Sequence, residues 1–244
     1  MSDPAPAAPP LSAATQRPAI APWRSGVAAA RANVVPGMVL SVFAVGLLLS
    51  YWYVPAATAA LETLAEWKLR LGWPFVVVST AVFGAVIPWL VQRARPSVRA
   101  VTRWSHLWFL VAFWGFKGLE IDLLYRLQAA WFGQGSDAAT LTIKTVVDQA
   151  IYCPVWAVPS TVLVYAFKDA EFSWARTWGP VRQLGLVKWY GREVLPVLIS
   201  NAGVWVPAVL VIYCLPLALQ LPVQNLVLCF WSLLLAFQVR GAAR

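Results

Sequence analysis

The feature that most constrains this chain is a recurrence of apolar stretches about twenty residues long, the length at which a helix crosses the ~30 Å hydrocarbon core of a bilayer. Of its 244 residues, 60% are hydrophobic and only 12% are charged. The length of the stretches, more than the total hydrophobicity, predicts an all-α, polytopic transmembrane helix bundle with about six spans. The spans are placed near 34–54, 71–91, 106–127, 145–167, 195–217 and 222–239.

The charges between the apolar stretches support this count. The net charge is +9, but the basic residues are scattered among the connections and do not line one polar face. That distribution disfavours a nucleic-acid partner and favours the bilayer and its anionic lipids. Connections rich in Lys and Arg stay on the side from which a protein inserts, so positive and neutral connections should alternate. The positive ones are the N-terminal tail, 92–105, 168–194 and the C-terminal tail, and the neutral ones are 55–70, 128–144 and 218–221.

The chain divides into a tail and a bundle. Residues 1–33 form a Pro/Ala-rich basic tail whose composition cannot build a packed core. A cleavable targeting segment is the alternative interpretation of this tail, because it is basic and poor in acidic residues. Residues 34–70 are expected to form a first transmembrane helix and its connection, and residues 71–244 the remaining bundle.

Catalytic and metal-binding motifs are not found in the sequence. It contains no Walker loop, no GxGxxG and no HExxH pattern, and its one histidine cannot supply a triad or a metal site. We interpret His106, which lies beside two tryptophans, as an anchor at the membrane interface. Cys153, Cys214 and Cys229 lie in apolar stretches and are expected to behave as small buried hydrophobic residues. We therefore expect a protein that is not an enzyme and has no cofactor.

A cluster of charged and polar residues is the strongest candidate site, because ionisable groups inside a membrane are costly and mark function by default. If the third and fourth stretches form a hairpin that turns near 133–136, the end of the third and the start of the fourth lie at a similar depth in the bilayer. Local pairs Asp122 with Arg126 and Lys144 with Asp148 are one helical turn apart, and Lys144 is also expected to reach Asp122. Two interpretations stay open: a polar conduit, or a neutral network that joins the hairpin. The cluster comprises Lys117, Glu120, Asp122, Arg126, Lys144, Asp148 and Gln149.

Four arginines form a second candidate site. Their recurrence at about every fourth residue predicts one face of a short helix lying along the lipid headgroups, with anionic lipid such as cardiolipin as the partner. Control of topology is the alternative explanation. The four are Arg93, Arg95, Arg99 and Arg103.

Small residues predict where two helices pack closely. They recur every three or four residues in the second and third stretches, which lets helix backbones approach each other. In the second stretch they are Ala81, Gly84, Ala85 and Pro88, and in the third Ala112, Gly115 and Gly118.

Two motifs resemble the Mpv-seventeen/peroxisomal-membrane-protein family of mitochondrial and peroxisomal membranes. The first is a Lys-x-x-x-Asp-Gln-x-x-x-x-Pro pattern, and the second consists of Trp-Pro, Val-Pro and Phe-Trp elements in the C-terminal third. The similarity covers about residues 71–240, so residues 34–70 would be an addition. Family members usually have four spans, and several of their polar positions are apolar here. The motif residues are Lys144, Asp148, Gln149 and Pro154, then Trp205, Pro207, Pro216 and Trp231.

The resemblance implies two classes of function. One is a structural accessory subunit, packed with other membrane subunits into a larger assembly of the mitochondrial inner membrane such as a respiratory complex. The other is a weakly selective channel or carrier for small solutes in a mitochondrial or peroxisomal membrane. A pore needs polar groups along its length, and this chain keeps them at one end only. The structural role is therefore the preferred expectation.

Overall fold

The computed structural model describes residues 34–96 and 102–238, together with Val27 and Arg31. This part of the chain is helical throughout and contains no strand, so the all-α prediction is confirmed. We number its helices α1 Val34–Tyr53, α2 Pro55–Leu71, α3 Trp73–Arg93, α4 Trp104–Phe132, α5 Ala138–Asp169, α6 Trp174–Leu184, α7 Leu186–Tyr213 and α8 Leu217–Gln238.

Three or four of these helices have the length and composition of membrane spans. By those criteria α3, α5 and α7 qualify individually. The pair α1 and α2 also qualifies, but its two halves meet at an angle of 101°. The six predicted stretches fall on α1, α3, α4, α5, α7 and α8. Six of the helices therefore coincide with predicted stretches, although α4 does not meet the criteria for a span and the apolar part of α8, Leu217–Leu233, is shorter.

The connection predicted at 55–70 is itself helical, because these residues form α2. Pro55 stands at its first turn, where the missing N–H of proline costs nothing. The residues that follow are mostly Ala, Leu, Glu and Lys, which favour helices. The Thr58 hydroxyl donates to the Tyr51 carbonyl at 2.6 Å and so ties α2 to the end of α1. Gly72, with φ of +62°, ends α2.

Three helices widen locally just before a proline. Proline lacks an N–H and its ring collides with the carbonyl four residues earlier, so the preceding turn cannot keep regular i→i+4 bonding. At each site the backbone adopts i→i+5 bonds, which are characteristic of π-helical turns. The sites are Val82–Val86 before Pro88, Val147–Ala157, which contains Pro154 and precedes Pro159, and Tyr190–Val194 before Pro196.

Helices α3 and α4 make the most extensive contact in the bundle. A Cβ atom added to Gly118 would lie 2.5 Å from Thr80 Oγ1 and 2.8 Å from the Val76 carbonyl oxygen. A Cβ atom on Gly84 would lie 2.6 Å from the Trp114 ring. Only glycine permits this approach, so the close contact predicted from small residues is confirmed.

The apolar core lies where α1, α7 and α8 meet. Leu40 and Ala44 of α1 and Ile212 of α7 are fully buried there. A smaller core cluster contains Cys153 and Trp189. No disulfide is found among the described residues, and Cys153 and Cys229 are buried while Cys214 is only partly so.

Candidate functional site

Three sets of polar residues link helices of the bundle, and the first joins α2 to α4. Lys68 Nζ lies 2.7 Å from Asp122 Oδ1, and their side chains are only 4% and 11% exposed. Lys68 also donates to the Leu217 carbonyl at 3.3 Å. Arg126 Nε donates to the other Asp122 oxygen at 2.7 Å, which confirms the predicted pair one turn apart. Asp122 is therefore held between two cations.

The second set joins α4 to α5. Lys117 Nζ lies 2.8 Å from Glu120 Oε1 and 3.0 Å from Ser160 Oγ, and the Tyr152 hydroxyl also donates to Glu120. The Lys117 ammonium lies within about 6 Å of the ring centroids of Phe113, Tyr152 and Trp156. Aromatic faces attract a cation electrostatically, so this ammonium is stabilised on several sides.

The third set runs from α4 through α7 to α5. Gln128 Nε2 donates to the Tyr213 hydroxyl at 2.6 Å, and that hydroxyl donates to Asp148 Oδ2 at 2.8 Å. Asp148 Oδ1 accepts from the Gln149 amide at 3.0 Å and from the Cys153 thiol at 3.7 Å. Every donor to this carboxylate is neutral. The site of Asp148 is thus built by hydrogen bonds, without a paired cation.

The partners predicted for Lys144 are wrong. Lys144 is 1% exposed, and it forms no ion pair with any described residue. Its ammonium lies 5.6 Å from the centroid of the Tyr213 ring. The pairing with Asp148 fails because the π-helical turns of α5 begin at Val147, so residues four apart no longer lie directly above each other.

The predicted register of the hairpin is also shifted. A hairpin centred near residue 134 would place Glu120 opposite Asp148, but Glu120 instead accepts a hydrogen bond from the Tyr152 hydroxyl, one helical turn further along α5. The cause is the start of α5, where the Asp137 side chain accepts from the Thr140 backbone N–H at 3.0 Å. This N-cap begins the helix at Ala138, and the loop between α4 and α5 spans residues 133–137. Lys144 therefore lies beyond the reach of Asp122, which Lys68 occupies instead.

A cavity of about 450 Å³ lies between α4, α5, α7 and α8, next to the second and third sets. Pockets of this size bind small molecules, usually through an apolar lining with a few convergent polar groups. Lys117, Asp148 and Gln149 line it, as does Gln224 of α8. The cavity thus brings together three of the seven residues of the predicted cluster.

No family model, curated protein or solved structure matches this chain. The chemistry of the site therefore has to be argued from its own residues. Within the described residues, no group of three His, Cys, Asp or Glu side chains is placed to hold a metal ion. The cavity offers hydrogen-bond acceptors and aromatic faces, which suit the binding of a small organic molecule.

The described arginines do not form one exposed row. Arg93 donates to the Thr102 carbonyl at 2.8 Å and lies 5.2 Å from the ring centroids of both Trp89 and Trp104. Arg95 is buried, with 8% of its surface exposed. Arg103 is exposed and pairs with Glu171 at 2.6 Å. Arg99 lies outside the described residues, and a role of these arginines in binding lipid stays a prediction.

The family-motif residues take structural positions around the cavity and the helix ends. Trp205 and Trp231 line the cavity. The Pro154 carbonyl accepts from the Tyr190 hydroxyl at 2.8 Å, which joins α5 to α7. Pro207 lies inside α7, and the Pro216 carbonyl accepts from Leu219 at 2.8 Å where α8 begins.

Several residues of these sets were missed in the sequence. Lys68 was assigned to a connection, so its burial was not expected. Gln128, Gln224 and Tyr213 lie in or beside apolar stretches, and an isolated polar side chain in such a stretch is a usable signal of a buried contact.

His106 contacts the Phe172 ring, while the neighbouring Trp104 is 56% exposed, as expected at an interface.

Proposed function

We propose that this chain is a non-enzymatic structural membrane protein, an accessory subunit that packs with other membrane subunits into a larger assembly. One observation carries the proposal: several of its buried polar groups are bonded to one another across helices. Lys68 with Asp122, Lys117 with Ser160 and Tyr213 with Asp148 each connect a different pair of helices. A solute pore requires polar groups that face a continuous path. Polar groups that bind each other instead hold a bundle in one arrangement.

Exposed apolar side chains on α1 support contacts with lipid or with other subunits in the membrane. Along α1, exposed apolar side chains recur every three to four residues, which produces a continuous stripe on one face of the helix. Lipid tails or an apolar helix of another subunit can cover such a stripe. Its members are Val35, Met38, Val42, Val45 and Leu49.

The proposed topology has six crossings, formed by α1, α3, α4, α5, α7 and α8, with both termini on one side. The angle of 101° between α1 and α2 supports an α2 that lies along the opposite surface of the bilayer. Exposed Trp67 and Trp73, at 53% and 70%, suit this position because tryptophan prefers the headgroup level. The pairing of Lys68 with Asp122 supports a position of the C-terminal half of α4 near that same surface.

The proposed location is the mitochondrial inner membrane, with the peroxisomal membrane as the alternative. Support for an organelle comes from the resemblance of residues 71–240 to the Mpv-seventeen/peroxisomal-membrane-protein family. Anionic lipid such as cardiolipin is the proposed lipid partner, at about 1 kcal/mol for each basic residue near the surface. Of Arg93, Arg95 and Arg103, Arg103 is the most exposed, with 59% of its side chain accessible.

Native electrophoresis in a mild detergent tests the proposal. A subunit should migrate with an assembly much larger than its own 26.8 kDa. Migration as a small homo-oligomer, together with solute flux after reconstitution into liposomes, would contradict the proposal and support the channel or carrier. The flux assay should include Lys117→Met, because removing a cavity-lining cation alters conduction only if solute passes through the cavity.

A further inference from the structure

We propose that the corner between α6 and α7 binds the phosphate group of an anionic phospholipid at the surface of the bilayer. The corner comprises three basic residues and two apolar ones, and all five are exposed: Arg182, Leu186, Val187, Lys188 and Arg192. This inference rests on the membrane placement of α5 and α7 in the proposed function. It does not depend on whether the chain is a structural subunit or a channel.

A single glycine joins the two helices and brings the basic residues together. Gly185 alone separates α6 from α7, and its φ of +77° is a conformation that residues with a Cβ atom rarely adopt. Arg182 lies in the last turn of α6, and Lys188 lies in the first turn of α7. Arg192 follows Lys188 by about one further turn. The three cations therefore lie within about two helical turns of one sharp bend.

The three cations have no acidic partner in the part of the chain that the structure describes. Glu171 and Asp169, the acids near the end of α5, are already paired with Arg103 and Lys168. Glu193 adjoins the corner in sequence but is exposed and forms no ion pair there. The corner therefore keeps a positive charge and free N–H donors, and guanidinium groups in particular match the oxygens of a phosphate.

The corner lies against the side of a candidate span. The Tyr190 hydroxyl donates to the Pro154 carbonyl at 2.8 Å, so the start of α7 is held beside α5 well before α5 ends at Asp169. Next to Pro154, the side chains of Val155 and Trp156 are 73% and 50% exposed, which gives α5 an apolar outer surface at this level. Lipid covers such a surface when α5 spans the membrane.

The length of α5 is consistent with headgroups at this level. Its 32 residues extend about 48 Å, whereas the hydrocarbon core is ~30 Å thick. Part of α5 therefore lies at headgroup depth. Lysine and arginine can rest their apolar stems on a helix surface while their charged ends reach the phosphates. Leu186 and Val187, which are 64% and 85% exposed, are then placed to contact acyl chains.

The combination of free cations and exposed apolar side chains selects the occupant. A soluble polyanion would satisfy the cations but leave Leu186 and Val187 in water. A lipid without net charge would cover the apolar side chains but leave the corner without a counter-charge. An anionic phospholipid does both, because it supplies a negative headgroup and acyl chains together.

Quenching of a fluorescent label at the corner tests the proposal. The full chain carries Val187→Cys in a background of Cys153→Ala, Cys214→Ala and Cys229→Ala. It is labelled with bimane, an uncharged apolar fluorophore, and placed in phosphatidylcholine nanodiscs. Quenching is compared between two nitroxide-bearing lipids with identical acyl chains, a phosphatidylglycerol and a phosphatidylcholine. The phosphatidylglycerol should quench at a mole fraction at least about fivefold lower, which corresponds to one basic residue near an anionic surface.

Substitutions of exposed residues locate the preference. Arg182→Gln, Lys188→Gln and Arg192→Gln in one chain should make the two lipids quench equally, because no cation of the corner remains. Lys188→Gln alone should lose part of the preference. Arg70→Gln is the matched control, because it removes one charge from an exposed residue of α2 that also has no ion pair within the described chain. It should keep the whole preference.

Equal quenching by the two lipids while the cations are intact overturns the proposal, because the corner then contacts lipid without recognising the charge. A label that neither lipid quenches overturns it as well, since the corner then faces water or another protein. A preference that survives the combined substitution places the anionic lipid elsewhere and also overturns it.

A second label position separates these results from a failure of the membrane placement. Val42 lies on the exposed apolar stripe of α1 and is 73% exposed. A bimane at Val42→Cys should be quenched equally by both lipids. If this label is quenched and the one at Val187→Cys is not, the inference alone fails. If neither label is quenched, the chain is not embedded as proposed, and the proposed function fails with the inference.

Discussion

Lys68 of α2 and Asp122 of α4 form a nearly buried ion pair, with 2.7 Å between Lys68 Nζ and Asp122 Oδ1. The residues are 54 positions apart in the chain, and between them lies the whole of α3. Desolvating two charges is costly, so such a pair is stable only when the geometry is good and neighbouring groups assist. Arg126 and the Leu217 carbonyl provide that assistance.

Breaking this pair should destabilise the bundle. Lys68→Met leaves Asp122 partly buried with Arg126 as its remaining partner, so a loss of about 2 kcal/mol is expected, less than for a fully unpaired buried charge. A double-mutant cycle with Asp122→Asn, measured by unfolding in detergent, should give a coupling of at least about 1 kcal/mol. The matching cycle of Lys144→Met with Asp122→Asn should give less than roughly 0.5 kcal/mol, the value for sites that do not interact. The reverse ranking of the two cycles would contradict the observed pairing.

The contact between α3 and α4 should not tolerate a methyl group at Gly118. Gly118→Ala places a Cβ atom 2.8 Å from the Val76 carbonyl oxygen, and this backbone atom cannot move without displacing α3. We expect a loss of about 1–3 kcal/mol, the usual cost of overpacking. Gly46→Ala is the control, because an added Cβ meets nothing within 4 Å there. Thermal unfolding in detergent should show a lower midpoint for Gly118→Ala alone, and equal midpoints would refute the close contact.

Tyr213 is expected to contribute more than one hydrogen bond. Tyr213→Phe removes the acceptor of Gln128 and a donor to Asp148 together, and it leaves both groups buried. The expected cost is about 2–4 kcal/mol, given about 1–3 kcal/mol for each buried group left unpaired. Tyr190→Phe, which removes a single bond to the Pro154 carbonyl, should cost less. Denaturant titration of both variants measures the difference in the free energy of unfolding. Equal decreases would mean that the hydrogen bonds from Gln128 to Tyr213 and from Tyr213 to Asp148 contribute no more than one bond.

The N-cap of α5 makes a pH-dependent contribution to stability. Hydrogen bonds from the Thr140 side chain and backbone N–H lower the pKa of the Asp137 carboxyl below its usual value. A group whose pKa is lower in the folded chain stabilises it above the unfolded pKa, near 3.9, and loses that effect as the pH falls through the folded value. Asp137→Ala should therefore be less stable than the unaltered chain at pH 7, and the difference should shrink below about pH 4.

A control for Asp137→Ala is Ser173→Ala. Ser173 occupies the N-cap of α6, but its side chain makes no capping hydrogen bond. Ser173→Ala should change the unfolding midpoint only slightly, by an amount that does not vary with pH. A constant difference for Asp137→Ala from pH 7 to pH 3 would contradict the role of the ionised carboxylate. Unfolding midpoints in detergent at several pH values measure both variants.

The six helices that coincide with apolar stretches could be predicted from the sequence, because each follows from a local property. Apolar stretches of span length gave their positions, and small residues at helical spacing gave the close contact of α3 with α4 through Gly84 and Gly118. The pair of Asp122 with Arg126 was also predictable, since both residues lie on one helix and four-residue spacing determines their distance. In these cases the structure depends little on how distant elements are arranged.

The partners across helices could not be predicted in this way. The register of α4 against α5 depends on the Asp137 cap and on the π-helical turns that begin at Val147, and a shift of one turn exchanges every partner. Lys68 was missed because α2 is too polar to be recognised as part of a membrane bundle. The position of Gln224 at the cavity could not be predicted either, because the cavity forms only when four helices pack together.

Labelling of single cysteines tests the arrangement of the helices across the bilayer. The background would carry Cys153→Ala, Cys214→Ala and Cys229→Ala, and the labelled positions would be Ala94→Cys and Ser136→Cys, both at exposed sites. Because α4 separates a positive connection from a neutral one, a membrane-impermeant reagent should reach them from opposite sides. Labelling of both from one side would exclude α4 as a span.

A third position, Val54→Cys, decides the role of the bend between α1 and α2. Val54 is 46% exposed and stands at the break. If α1 crosses alone and α2 lies along the far surface, Val54→Cys should react from the same side as Ser136→Cys. An α2 along the far surface is also consistent with the ion pair, because Lys68 of α2 lies against Asp122 in the C-terminal half of α4. If α1 and α2 are instead one broken span, residue 54 lies within the hydrocarbon and should resist the reagent from both sides.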